Sequence, residues 1–590
     1  MHYFKRGLHI LTNDGLSSLL YKIKIKLKYY SHYNEWISKN EPSASMLDMQ
    51  KSITFAYEPV ISIIVPTYNT TPKFLIDMIE SVRSQTYAHW ELCIADGSSS
   101  EADIKGILLS YAQMDKRIKI TLLKDNKGIA GNSNEALSLA NGNFVALLDH
   151  DDTLAPFALF EIVTVINESA DVDFIYTDED KISENGRARF EPHFKPDWSP
   201  DTLRSCNYIT HLTVVKKELL DLAGYFRKGY EGSQDYDLII RATEKARNII
   251  HVPKVLYHWR AHGLSAAGNP EAKPYAHDAG RKLLSDHLHR LGIDGSVEDG
   301  LCPHMYKVNY SINRNHKISI IIPNKDHAED LSRCVSTVLT RSSYLQYEII
   351  IVENESIEPE TRKLYSRLQE QTAVKIVEWN KPFNFSAMNN YAVKQSTGDV
   401  LLFLNNDTEI ITPDWIEHML CHAARKEIGA VGAKLLYPDG KIQHAGVILG
   451  IQGTAGHSHK YFDRDAVGYF SMLKSVHNVS AVTGACMMMR RDIFDEVGGF
   501  DEMLSHSYND IDLCLQIRQK GYRIIFTPYA ELYHFESKSR GLMDTPDNAV
   551  RFSQEARLFR TKWDALLRRG DPYYNINLTL DKEDYSIREE

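Results

Sequence analysis

The sequence predicts an α/β protein made of two copies of one unit, and three observations carry that expectation. ISIIVPTYN begins at Ile61 and ISIIIPNKD at Ile318, 257 positions later. Each is followed by a helix-like stretch, FLIDMIESVRSQT or DLSRCVSTVLTRS, and then by a second apolar run, WELCIADGSS or YEIIIVENES. Further on, each copy carries an acidic strip and then a histidine-bearing strand. Apolar runs of strand length alternating with helical periodicity indicate α/β units on a largely parallel sheet.

Taken in order, the first element is a basic amphipathic stretch. It mixes Lys5, Arg6, Lys22, Lys24, Lys26 and Lys28 with Leu, Ile, Tyr and Trp36, against only Asp14 and Glu35. Such a segment either lies on an anionic membrane surface or packs on the domain with a solvated lysine face. The two βα pairs follow, and then a run rich in Asn and small residues that ends in FVALLDHDDTLAP in the first copy and VLLFLNNDTEI in the second. Phe144–Leu148 reads as a buried strand that ends in Asp149, Asp151 and Asp152. Three carboxylates that close repel and raise one another's pKa unless a positive group sits among them. Ligands of such sheets bind beyond the carboxyl ends of strands, where PTYN, ADGSS and DHDD all fall, so these motifs converge on one crevice.

The acidic strips are GSQDYDLIIRATE and SYNDIDLCLQIRQKGYRI, and the histidine-bearing strands are HVPKVLYHWRAH and FTPYAELYHFESKSRG. Asp235 and Asp510 lie 275 positions apart rather than 257, so the second copy carries 18 additional residues. GAKLLYPDGKIQHAGVILG, without a clear counterpart in the first copy, lies in that interval. The acidic cluster Asp178, Glu179 and Asp180 in YTDEDKI reads as a solvated turn within reach of an acceptor. Trp198 and Trp259 read as core, and FRTKWDALLRRGDPYYNINLT as a helix followed by a packed tail.

Bulk properties narrow the class. At 590 residues the chain exceeds one ordinary domain. Hydrophobic residues at 43% and charged residues at 25% supply globular cores. A net charge of -10 offers no basic surface for nucleic acid. Seven cysteines, odd in number and without a CxxC pair, point to a reducing compartment rather than a disulfide framework or a zinc module. With no secretory pattern and no apolar run of membrane-spanning length, a cytoplasmic protein is expected.

Convergent carboxylates, a trailing histidine and no nucleophile motif indicate a divalent cation holding a diphosphate. Hard oxygen ligands suit Mg²⁺ or Mn²⁺, which share their shell with substrate phosphates and water. GxxxxGK[ST] and a GxGxxG turn are both missing, which disfavours a kinase or dehydrogenase. In these motifs, taken in order, both halves resemble family 2 glycosyltransferases with the GT-A fold, as found in tandem in bacterial surface-polysaccharide (O-antigen or capsule) synthesis. The resemblance covers roughly residues 58 to 300 and 315 to 545. It implies two Rossmann-like nucleotide-diphospho-sugar transferase domains with helical N- and C-terminal extensions. The expected segments are an extension over 1–57, a first domain over 58–300, a linker over 301–314, a second domain over 315–545 and a tail over 546–590.

Carried over residue by residue, the resemblance makes Asp149 and Asp151 the aspartate-x-aspartate that holds the metal and the donor's phosphates, with Asp152 beside them. Asp96 becomes the acid that contacts the uracil or thymine base, with Pro66, Thr67 and Tyr68 lining that pocket. Asp235 of the Gln234-Asp235 pair becomes the catalytic base, with Asp237 the runner-up. The late histidine that completes metal binding is His258 or His262, a choice that spacing leaves open, and Arg260 is placed to neutralise the diphosphate. The second copy departs from this pattern. Asn405 stands where the first aspartate belongs, followed by Asn406 and Asp407, and Glu353 replaces Asp96 beside Pro323. It keeps Asp510 as base and His534 as late histidine, with Lys538 and Arg540 as phosphate partners and metal ligands expected at Asn405, Asp407 and His534.

The family's mechanism is a direct displacement with inversion. The implied protein is a bifunctional, metal-dependent transferase that uses UDP- or dTDP-sugars and extends a lipid-linked glycan. It would sit peripherally at the cytoplasmic face of the inner membrane, docked through its basic N-terminus. In the alternative, one module is active and the second binds glycan or sets its length.

Overall fold

The structure is a computed structural model that describes residues 31–97, 102–263, 274–536 and 546–589. Lys538, Arg540 and the basic stretch up to residue 30 lie outside the described residues. The chain divides into two compact units: one runs to Trp198 and resumes over Asn207–Arg290 and from Ile587, and the other comprises Ser199–Cys206 and Leu291–Ser586.

The first sheet contains β1 (Ile61–Thr67), β2 (Trp90–Asp96), β3 (Ile118–Leu122), β4 (Phe144–Leu147), β5 (Thr153–Leu154), β6 (Phe174–Ser183), β7 (Arg189–His193), β8 (Thr213–Lys216) and β9 (Ile249–Ala261). Its order is β3-β2-β1-β4-β8-β6-β9-β5, with β7 paired to β6. A two-stranded ribbon, β10 (Gly295–Asp299) and β11 (Tyr306–Tyr310), follows.

The second sheet contains β12 (Ile318–Asn324), β13 (Tyr347–Glu353), β14 (Val374–Glu378), β15 (Val400–Leu404), β16 (Thr408–Ile410), β17 (Ile428–Leu436) and β18 (Ile442–His444). A separate hairpin, β19 (Val447–Leu449) with β20 (Ala455–His457), comes next, and β21 (His477–Val479), β22 (Cys486–Arg490) and β23 (Arg523–His534) complete the sheet. The order β14-β13-β12-β15-β22-β17-β23-β16 repeats that of the first sheet strand for strand. The two tandem GT-A-like α/β modules expected from the sequence are therefore present.

Both sheets are mixed, where a largely parallel sheet was expected. β1, β2, β3 and β4 pair in parallel, but β8 enters antiparallel between β4 and β6. Parallel neighbours need a long crossover, whereas β6 returns through β7 and a loop that brings β8 back in the opposite sense.

The central strands are buried on both faces, as the near-continuous apolar runs require. Ile318, Ile320 and Ile322 pack into one cluster and Ile321 into the cluster on the opposite face, following the two-residue period of a strand. Even a polar detail is repeated: Ser62 donates to Glu91 (2.7 Å) and accepts from the Gly142 amide (2.9 Å), while Ser319 does the same with Glu348 and Gly398 (both 2.8 Å). A Cβ at Gly142 or Gly398 would lie 2.6 Å from that serine hydroxyl, so the close approach needs glycine.

Two expectations are corrected. YTDEDKI is not a solvated turn: it lies within β6, and Asp178, Glu179 and Asp180 are all buried. Each carboxylate is compensated, Asp178 by His251 (2.8 Å), Glu179 by Lys195 (3.2 Å) and Asp180 by His258 and Arg189 (both 2.6 Å). Buried charges persist when paired in this way, and none of the partners adjoins the cluster in sequence. Nor is GAKLLYPDGKIQH without a counterpart. It forms β17 and β18, which stand where β6 and β7 stand in the first sheet. The additional chain falls after β18, in β19, β20 and β21.

Candidate active site

In the first module β1 and β2 end side by side, with Thr67 opposite Asp96. The Thr67 hydroxyl donates to Asp96 Oδ1 (3.0 Å), and the Gly97 amide donates to the Thr67 carbonyl (2.8 Å). Pro66 precedes this pair in β1, and Tyr68 follows it with its side chain exposed. Asp96 is buried, so the paired strand ends carry one carboxylate held by a neighbouring hydroxyl.

One strand further, β4 delivers the carboxylate loop. Asp149 is exposed, whereas Asp152 is fully buried and accepts from the Tyr257 hydroxyl (2.5 Å) and the Arg260 amide (2.7 Å). Burial, followed by the charges of Asp151 and Asp149, holds the Asp152 carboxyl well above the usual carboxylate range. Asp149, Asp152 and His211 bring ligand atoms within 4.8 Å of one another.

His211 was not foreseen from the sequence. It precedes the apolar strand β8 in NYITHLTVV without a motif around it. Its ring stacks on Tyr257 with centroids 4.4 Å apart, and its Nδ1 lies 3.1 Å from Glu179 Oε2. Burial opposes its charge, but the hydrogen bond and charge of Glu179, with Asp149 and Asp152 behind, push the imidazolium up to about 9. Two carboxylates and an imidazole form a donor set for Mn²⁺ or Mg²⁺ once a cation displaces the protons that burial and Glu179 hold on Asp152 and His211.

The other expected ligands lie on either side of this cluster. Asp151 Oδ2 is 2.8 Å from His262 Nε2. His258 turns its Nδ1 to Asp180 (2.6 Å), in a buried network that also takes the Tyr33 hydroxyl (2.6 Å). Strand pairing sets Thr153 opposite His258 and Thr408 opposite His534, so His258 is the positional counterpart of His534. It is His262, however, that meets a loop aspartate as His534 does. Arg260 is buried, donating to the carbonyls of Asp151 (2.6 Å) and Glu184 (3.0 Å) and pairing with Asp77 (3.2 Å). It braces the loop from behind.

Asp235 opens the helix Gln234–Thr243, where the helix dipole favours a carboxylate. It is half-buried and accepts from Asn207 Nδ2 (3.1 Å). Burial raises its pKa, outweighing the opposing charge of His211. Asp237, two residues on, is wholly buried between Arg227 (3.1 Å) and Arg241 (2.7 Å). Of the two, Asp235 is the one outside an ion pair with arginine.

The second module repeats this division. Asp510 opens the helix Asn509–Gln519 and accepts from the Gly484 amide (2.9 Å) and the Thr483 hydroxyl (3.1 Å). Asp512 is buried against Trp563 Nε1 (2.8 Å) and Lys562 (2.8 Å). His534 Nε2 lies 3.1 Å from both Asn405 Nδ2 and Asp407 Oδ1, while its Nδ1 faces Gln443 Oε1 (2.6 Å). Asn406 donates to Asn324 Oδ1 (2.6 Å), the residue after Pro323. Glu353 is held by Ser356 (2.7 Å) and Tyr365. Phe144 faces Lys216 and Val400 faces Arg490, so counting back along the paired strands puts Ala485 in the place of His211.

The family model described as "Glycosyl transferase family 2" matches residues 62–223 and 319–498, more than half of the chain and one segment in each module. The chain belongs to glycosyl transferase family 2. Among its relatives, the uncharacterized protein y4gI of Sinorhizobium fredii is 45% identical over 534 residues, covering 90% of this chain and 58% of that one. The O-antigen biosynthesis protein RfbC of Myxococcus xanthus is 36% identical over 557 residues, covering 94% and 43%. Chondroitin synthase of Escherichia coli is 26% identical over 243 residues, covering 41% and 34%. This family 2 chain thus spans about half the length of the first two relatives. Among the described residues, no helix is long and apolar enough to cross a membrane.

Proposed function

We propose that the chain is a bifunctional inverting glycosyltransferase, each module moving a sugar from a UDP- or dTDP-sugar to a growing lipid-linked bacterial surface polysaccharide. The observation that carries this reading is the repeated aspartate pair, in which Asp235 and Asp510 open equivalent helices and Asp237 and Asp512 are buried in ion pairs. In this reading Asp235 takes the proton of an acceptor hydroxyl while that oxygen attacks the anomeric carbon opposite the nucleotide. One displacement inverts the centre once.

Pro66, Thr67, Tyr68 and Asp96 receive the nucleotide in the first module, and Pro323, Glu353 and Asn406 in the second. Asp149, Asp152 and His211 would hold Mn²⁺ or Mg²⁺, with Asp151 on the same loop and His262, just past the end of β9, against it, and Asn405, Asp407 and His534 are the corresponding donors in the second module. A bound cation supplies compensation for negative charge on the departing diphosphate. The protein works peripherally at the cytoplasmic face of the inner membrane, where the lipid-linked acceptor is presented.

One observation favours a second reading, in which only the first module transfers: Asn405 and Ala485 replace an acid and the imidazole. A panel of UDP-, dTDP- and GDP-sugars with Mn²⁺, run on the wild type, Asp235→Asn and Asp510→Asn, separates the two. Loss of a different donor in each variant is expected. An unchanged profile for Asp510→Asn would leave one active module.

Two further outcomes follow from the site. His211→Ala is expected to weaken Mn²⁺ binding by roughly tenfold or more, the scale on which even outer partners of metal ligands act. The free Mn²⁺ EPR signal reads it, and unchanged binding would place the cation elsewhere. A base must be ionised to act, and the Asp235 pKa is raised by burial. Activity of the first module should therefore fall as pH drops through a value above the ordinary aspartate range. A pH–rate profile with its acid limb near about 3.9 would exclude Asp235 as that group.

A further inference from the structure

We propose that His457 is an acceptor-binding residue of the second module, presenting an Nε2–H donor in a direction fixed by His444. The proposal rests on the reading of Asp510 as that module's base.

His457 ends β20, in the stretch of chain that the second module adds after β18. Its Nδ1 lies 2.8 Å from His444 Nδ1, with the rings edge to face at 83°. Two imidazole nitrogens at that distance need one hydrogen between them, so one ring donates and the other accepts. The far side of His444 decides which. The amides of Gly446 (3.4 Å) and Thr483 (3.5 Å) both point at His444 Nε2, which is therefore a lone pair. His444 then carries its hydrogen on Nδ1 and gives it to His457 Nδ1, and His457 carries its own on Nε2. Burial, which disfavours charge, lowers the pKa of both rings and keeps them neutral.

Two hydrogen-bonded links tie this pair to the catalytic groups. Thr483, whose amide points at His444, donates its hydroxyl to Asp510 Oδ2 (3.1 Å). Gln443, the residue before His444, receives His534 Nδ1 (2.6 Å) and donates to Glu536 (3.0 Å). The charges that act on the His457 ring are those of Asp510, Lys460, Glu536 and His534. Among the described residues no group takes the hydrogen on His457 Nε2.

The chemistry of the ring selects its ligand. Nδ1 accepts from His444 and Nε2 bears a hydrogen, so no lone pair is left for a metal. What remains is one neutral, oriented N–H within reach of the charge of Asp510, suited to a hydroxyl or ring oxygen of the acceptor sugar. Among the described residues the first module has no such hairpin, so the two modules would hold their acceptors by different groups.

The test uses the full-length protein. In the wild type, nitrogen-15 NMR of the two imidazoles should show the Nδ1–H tautomer at His444 and the Nε2–H tautomer at His457. The reverse assignment, or an imidazolium at pH 7, would overturn the proposal. In the second transfer, His457→Ala should raise the KM for acceptor at least tenfold and leave the KM for donor and the first transfer unchanged. His457→Gln, whose amide nitrogen overlies Nε2, should restore much of the loss. An acceptor KM unchanged by His457→Ala, or a rise in donor KM instead, would overturn it too. Asp510→Asn separates the levels of failure. If it abolishes the second transfer while His457→Ala does nothing, this inference fails alone; if it has no effect, the reading beneath fails.

Discussion

Asp235→Asn is expected to slow sugar transfer by the first module about 10²- to 10⁴-fold, the usual contribution of a positioned general base, without moving the melting temperature. Asparagine is nearly isosteric and can keep the helix-end position, but it cannot take a proton. The Asp235 carboxylate accepts from Asn207 and from backbone amides at its own helix end, contacts that an asparagine side-chain oxygen can keep. Transfer rates with the first module's donor, alongside thermal unfolding, check both halves of the expectation. A fall of less than tenfold, or a loss that tracks unfolding, would remove Asp235 from the chemistry.

Asp237→Asn should do the reverse. Its carboxylate lies between two guanidinium groups, and Arg241, itself buried, also donates to the carbonyls of Ala223 and Tyr225 (2.6 Å). Removing one member of a buried ion pair leaves an uncompensated charge and typically costs about 3–5 kcal/mol. Denaturant unfolding of the variant should show that loss. Any transfer lost at a temperature where the variant stays folded should be small. If stability is unchanged and transfer disappears, the two aspartates have been assigned the wrong roles.

The contrast shows how much of the site was legible in the sequence. Residues two apart on a helix point roughly 200° apart at 3.6 residues per turn, so it was readable that Asp235 and Asp237 face different ways. Which one meets the crevice depends on Arg227 and Arg241. The choice between His258 and His262 has the same character. Their four-residue spacing is neutral, and the structure sends one ring to Asp180 and the other to Asp151. YTDEDKI was misread because its compensating groups, from Tyr33 to His258, are scattered along the chain.

By itself the sequence determined the two α/β modules, the strand ends that carry Asp96 and Asp149, the helix start that carries Asp235, and their counterparts Glu353, Asn405 and Asp510. Those features are local: apolar periodicity sets the strands, and a polar residue at a strand end has to lie at the sheet's edge. Tertiary structure alone decided that His211 joins Asp149 and Asp152, that Arg260 faces inward, and that His444 and His457 share a hydrogen. Each is a meeting of side chains from separate strands, and the direction of a buried imidazole or guanidinium is set by which partners the packed sheet brings within hydrogen-bond reach.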